Sequence, residues 1–257
     1  MQIHGAHGYL VNQFLSPHHN RREDQWGGSL DNRMRFLREI YRSIREQVGD
    51  EFPVAVKLNS ADFQKGGFAF EDSLQVVQWL EQASVDLIEI SGGSYEQPKL
   101  LGVEGLEKEE KQNVAASTMM REAYFVDFAL AMQDKVSIPL MVTGGFRRRD
   151  AMEQAISGGS ADLVGLGRPM CVMTDAPARL LQGLDELPRY ENELSLFPPW
   201  LAFLNRSKTL RTMAVFGVQY WFYAQLDELG KEGHAQPSMS VFAATLRIMS
   251  LQKKLLA

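Results

Sequence analysis

The segment His4-Gly-Ala-His-Gly-Tyr9 sets two imidazoles, a phenol and two glycines within six residues. Imidazole N–H groups can donate hydrogen bonds to a carbonyl oxygen or an anionic ring, and a phenol can deliver a proton. The apolar lead-in, Ile3, ends at His4, and Gly5 and Gly8 deny a regular helix. That is how a barrel strand gives way to its loop, with His4, His7 and Tyr9 turned to a ligand. The same residues also fit a glycine-rich loop with solvated histidines.

Two further places carry charge where chemistry could use it. Pro53-Val-Ala-Val-Lys-Leu-Asn59 is a strand-type apolar run interrupted by Lys57. An ammonium in a buried parallel strand is costly unless a ligand or a carboxylate meets it; the other reading is a side chain that snorkels at the strand end. Later, Gly144-Gly145 closes one apolar run, and Gly167 followed by Arg168 closes the next. Glycines let backbone N–H groups approach an anion, the helices that follow present their positive ends, and an arginine adds a forked cation. Two such devices in succession point to a phosphate, although each alone is also an ordinary tight turn.

The elements that would position these groups alternate along the chain. Helices are expected at 31–48, 71–83, 122–134 and 149–157 from apolar residues at three- and four-residue spacing. Met34, Leu37, Ile40, Tyr41, Ile44 and Val48 mark the first of these, and Leu74, Val77, Trp79 and Leu80 the second. Strands are expected at 53–59, 86–91, 138–143 and 162–167, with a polar loop over 94–117. Strand–helix alternation argues for parallel βαβ units, and chemistry at the strand ends argues for α/β architecture of the (β/α)8 TIM barrel type. Four complete strands and a short first one make a partial barrel, expected over 1–187. Residues 188–257 read as a C-terminal helical extension with helices at 200–229 and 239–255, and His234 as a loop residue.

With 257 residues, 45% of them hydrophobic, the chain has the composition of a globular soluble domain. A net charge of −5 gives no reason to expect nucleic acid or an anionic membrane as partner. One cysteine, Cys171, supports neither a disulfide framework nor a thiolate metal site. The run Met213–Ala224 falls short of the roughly 20 residues that span a bilayer, and no signal peptide is read, so the expected compartment is cytoplasmic.

Asn12-Gln-Phe-Leu-Ser-Pro17 and Asn20-Arg-Arg-Glu-Asp-Gln-Trp-Gly-Gly-Ser-Leu-Asp-Asn-Arg-Met-Arg-Phe36 follow the histidine segment almost without a break. Together they resemble the Old Yellow Enzyme family of FMN-dependent ene-reductases. The resemblance implies that NAD(P)H reduces FMN, and that an α,β-unsaturated carbonyl compound is then reduced. It implies that His4 and His7 hold the carbonyl oxygen and that Tyr9 is the proton donor. Lys57 would sit beside the flavin ring near N1 and O2, and Gly144, Gly145, Gly167 and Arg168 would hold the FMN phosphate. Many members have Asn where His7 stands and Arg where Lys57 stands; either pair donates. A branch with an iron–sulfur cluster uses several cysteines, so this chain resembles a cluster-free member. In the family the histidine strand lies mid-chain, so about three preceding strands are expected to be missing. The chain alone is then expected to bind FMN poorly and to need a partner or to form a homo-oligomer. A flavin-free barrel enzyme acting on a phosphorylated metabolite, and an inactive or partner-dependent fragment, are the other readings.

Overall fold

The computed structural model describes residues 1–92, 125–198, 200, 201, 203 and 207–255. Gly93, the loop expected over 94–117 and the start of the helix expected at 122–134 lie outside them. Packing divides the chain into two compact units, Met1–Phe146 with Asp150–Gly165, and Arg147–Arg149 with Leu166–Ala257. The division after residue 187 suggested by the order of elements is a different cut, made by sequence rather than by packing.

The first unit is built on a five-stranded sheet in chain order, β1 (Gln2–Gly5), β2 (Ala55–Asn59), β3 (Leu87–Ser91), β4 (Leu140–Thr143) and β5 (Leu163–Gly165), every neighbouring pair parallel. β1 is a short strand. It has four residues, as many as β4 and more than β5, and pairs with β2 along its whole length.

Side chains alternate between the faces of a strand, and partners in a parallel pair share a face. The pairing Ile3↔Val56↔Ile88↔Leu140 therefore defines one face, continued by Leu58, Ile90 and Val142, all buried. The row His4↔Lys57↔Glu89 defines the other, continued by Gln2, Asn59, Ser91 and Thr143. Most parallel strands are apolar on both faces because helices cover both. Here one face is a hydrocarbon layer and the other carries ionisable and hydrogen-bonding groups.

Helix α1 (Leu10–Leu15) occupies a stretch read from sequence as loop. Tyr9, extended at φ −77°, opens it, and Val11 and Leu15, one turn apart, bury its inner side. Helix α2 (Leu30–Val48) begins where the Ser29 hydroxyl accepts from the Asn32 N–H, has Asp31 in its first turn, and ends at Gly49. Met34, Leu37 and Tyr41 form its buried stripe. Helix α3 (Phe70–Gln82) buries Ser73, Val76, Val77 and Leu80. Trp79, expected in that stripe, turns outward beneath the Arg38 and Arg42 guanidiniums, 5.0 and 5.9 Å from its ring centre. Helix α4 (Val126–Gln133) precedes β4, and helix α5 (Arg149–Ser157) precedes β5.

The second unit contains a 3-10 turn (Arg168–Cys171), short helices α6 (Ala176–Leu181) and α7 (Tyr190–Glu193), and the long pair α8 (Lys208–Glu232) and α9 (Val241–Leu255). Sequence places the start of α8 at 200; the extended backbone of Ser207 sets it at 208, and left-handed Gly233 ends it. Trp221, Phe222 and Ala224 of α8 pack with Val241, Ala244 and Ile248 of α9, and the Trp221 indole N–H donates to the Met239 carbonyl at 2.7 Å. No helix among the described residues is long and apolar enough to cross a membrane.

Gly165 shows how tightly the polar face is built. A Cβ at this position would lie 1.8 Å from Thr143 Oγ1 and 2.9 Å from Thr143 Cβ. Gly165→Ala is therefore expected to lower stability by about 1–3 kcal/mol in urea unfolding, as overpacking does, and Thr143→Ala added to it is expected to restore part of the loss. An unchanged urea midpoint for Gly165→Ala would show that Thr143 yields freely.

Candidate active site

The turn from β1 into α1 sets the geometry. His7 adopts a left-handed backbone with φ 62°, uncommon for a side chain with a Cβ, and Gly8 follows at φ 78°. Such conformations persist where surroundings over-determine them. The His7 N–H donates to Asn59 Oδ1 at 3.1 Å, and the Gly8 N–H donates to Asn12 Oδ1 at 2.7 Å. Both amides in turn donate to Asp62 Oδ1, Asn12 at 3.2 Å and Asn59 at 2.9 Å, while Asp62 Oδ2 accepts from the Phe68 N–H at 3.0 Å. Asn12, Asn59 and Asp62 are buried.

This turn brings the sequence-selected rings together. The His4 ring centre lies 5.2 Å from that of His7 and 5.1 Å from that of Tyr9. Tyr9 is 47% exposed. His7 Nε2 lies 2.6 Å from Ser91 Oγ at the end of β3.

Lys57, in register with His4, is met by a carboxylate. Its Nζ donates to Glu89 Oε1 at 2.7 Å, and Gln2 Nε2 donates to Glu89 Oε2 at 2.6 Å. Burial alone would raise the Glu89 pKa, but Lys57, the Thr143 hydroxyl and Gln2 bring it below its usual value. Burial, then the Lys57 charge, then His4 push the His7 pKa down to about 4 against the opposing pull of Glu89. Burial and Lys57 lower His4 as well. His7 is thus a neutral imidazole at pH 7, with one N–H to donate and one nitrogen to accept.

The glycines and the arginine assigned to phosphate are found in two settings. In the first unit, Gly144 and Gly145 follow β4 with φ 141° and 80°, conformations that side chains disfavour. In the second, Gly167 precedes the 3-10 turn, and Arg168, 40% exposed, pairs with Glu191 at 3.2 Å. Glu191 also accepts from the buried Arg147 at 2.7 Å. Burial lowers the Arg147 pKa, and the neighbouring Arg168 and Arg189 charges add to the effect, against Glu191. Arg168 is therefore a cation already paired with a carboxylate.

A sequence model described as the NADH:flavin oxidoreductase / NADH oxidase family matches residues 1–186. The chain belongs to this family. The resemblance carried by residues 4–36 is thus a shared descent. An NADH-dependent flavin oxidoreductase of Hypocrea jecorina is 40% identical over 176 residues, covering 67% of this chain and 42% of the relative. An NADH oxidase of Thermoanaerobacter brockii is 35% identical over 184 residues, covering 71% of the chain and 26% of the relative. Among solved structures, a 2-naphthoyl-CoA reductase in complex with 2-naphthoyl-CoA matches with a TM-score of 0.61 at 30% identity, over 71% of this chain and 26% of the other. Morphinone reductase, at 24% identity and a TM-score of 0.52 over 73% of this chain and 44% of the other, shares the fold. The chain spans less than half the length of the Hypocrea and Thermoanaerobacter relatives.

Sequence reasoning missed Asn12, Asn59, Asp62, Glu89 and Ser91 as site residues. The available signal was position: Asn59 and Ser91 each end a strand on the face of Lys57 and Glu89.

The depressed His7 pKa has a consequence for stability. Its value is 6.5 as a free group and about 4 in the folded chain. Between these two values the unfolded state binds more protons, so stability from His7 is complete above about 6.5 and is lost as pH falls toward 4. Urea midpoints are expected to decline from pH 7 to pH 5, and to decline less in His7→Gln. Equal declines in both proteins would show that His7 titrates normally.

Proposed function

We propose that these residues form the flavin-binding part of an FMN-dependent NAD(P)H oxidoreductase that reduces α,β-unsaturated carbonyl compounds. What carries this reading is the gathering of the His7 and Tyr9 rings about His4, with centres 5.2 and 5.1 Å from its own, beside Lys57 on the polar sheet face. The five parallel strands correspond, in this reading, to one strand and the last four strand–helix units of a (β/α)8 barrel. Residues 188–257 are the C-terminal extension. The chain spans 42% of one relative and 26% of another, so the activity of the whole relatives enters here as a proposal.

The residues present suit FMN. In the first unit, Lys57 offers a fixed cation on the polar face, and Gly144 and Gly145 offer backbone in a conformation open to an anion; the part of Gly167 and Arg168 in holding the phosphate is what the resemblance implies. Bound FMN supplies the hydride chemistry, NAD(P)H being its reductant. The protein's own part is orientation and proton supply. Neutral His7 and His4 donate hydrogen bonds to the carbonyl oxygen of the substrate, which draws electron density from the conjugated alkene. The Tyr9 hydroxyl, exposed next to them, delivers a proton to the carbon beside the carbonyl.

Two outcomes test this. Arg168→Ala is expected to weaken FMN binding ten- to a hundredfold by equilibrium dialysis, since a charge-assisted contact contributes about 1.5–3 kcal/mol. Unchanged affinity removes Arg168 from the phosphate. Tyr9→Phe is expected to slow oxidation of the reduced flavin by 2-cyclohexenone in stopped flow while leaving reduction by NAD(P)H within about twofold, because only the former needs a proton donor. Equal slowing of both half-reactions would assign the phenol a structural role.

A further inference from the structure

His7 is held at two points by one cross-strand pair. Asn59 and Ser91 are register partners on β2 and β3; Asn59 accepts from the His7 backbone N–H, and Ser91 Oγ meets the ring at Nε2, 2.6 Å away. Ser91 is 4% exposed. Its hydroxyl has one hydrogen to donate, and a buried O–H without an acceptor is costly. Among the described residues, His7 Nε2 is the acceptor at hydrogen-bond distance from Ser91 Oγ. The alternative, Nε2–H donating to Oγ, would leave the buried serine hydrogen with no partner there. When one ring nitrogen of a neutral imidazole accepts, the other carries the proton.

We propose that Ser91 is a positioning residue: its hydroxyl donates to His7 Nε2, fixing the tautomer with the proton on Nδ1, so that Nδ1–H is the group His7 presents to a ligand. The site then recognises a hydrogen-bond acceptor at His7, a carbonyl oxygen or a phenolate, and not a donor such as an amine. The choice of a carbonyl rests on the function proposed above; the tautomer assignment does not. The low proton affinity of His7 is consistent with a ring that stays neutral while so engaged.

Long-range 1H–15N correlation of the full chain labelled with 15N-histidine reads the tautomer directly, His7 being identified by the signals lost in His7→Gln. At pH 7 the wild-type chain is expected to show His7 protonated at Nδ1. Ser91→Thr, which keeps a hydroxyl, is expected to retain that pattern, and Ser91→Ala to shift it toward Nε2–H. A wild-type ring protonated at Nε2, or an unchanged pattern in Ser91→Ala, overturns the proposal. Addition of 2-cyclohexenone separates the two ideas. A downfield shift of the Nδ1 proton supports both. No shift, with the Nδ1–H tautomer intact, counts against the carbonyl substrate while upholding the role of Ser91.

Discussion

The Asp62 carboxylate is the anchor on which the site depends. It gathers the side-chain amides of Asn12 and Asn59 on one oxygen and a backbone N–H on the other, and those two amides hold the backbone of His7 and Gly8. A carboxylate accepts several hydrogen bonds without donating any, so it can orient two amides at once with their oxygens left for the turn. The positive φ of His7 is the strained element, and the buried triad holds it through the His7 and Gly8 N–H groups. Such networks are stiff because a half-satisfied version is worse than none.

A second interaction sets the charge of the face. Lys57 and Glu89 neutralise each other, with Gln2 completing the carboxylate's coordination. Truncating one member of such a pair leaves the other as an uncompensated charge in a poorly solvated place. Burial is the main cause of the lowered proton affinity of both histidines; the lysine adds to it and the glutamate opposes it.

Much of this was legible in the residues. The strand–helix alternation, the glycine stops and the long motif from His4 to Phe36 led to a parallel α/β sheet and to the family. His4 and Lys57 lie on one face of the sheet, and His7 and Tyr9 on the turn that follows β1. Less legible were interactions between residues far apart in sequence: Ser91 with His7, Glu89 with Lys57, Asp62 with Asn12. A strand's own pattern says which face a residue occupies, but the partner comes from another strand whose register no local signal gives. Helix α1 was missed because its six residues are too few for periodicity to show. Glu191 was missed because nothing near it in sequence marks it as the partner of two arginines.

The two-faced character of the sheet also governs how the strands can assemble. Displacing β2 by one residue against its neighbours would turn Lys57 into the hydrocarbon layer and Val56 out of it. The same displacement of β3 would send Glu89 inward and Ile88 outward. Each slip exchanges a buried aliphatic for an unpaired charge, at a desolvation cost of several kcal/mol per ion. A uniformly apolar parallel strand has no such guard, since its faces are interchangeable. The charged groups of the polar face thus also reject misaligned pairings while the sheet forms, and a variant that replaced them all with aliphatic residues would lose folding specificity.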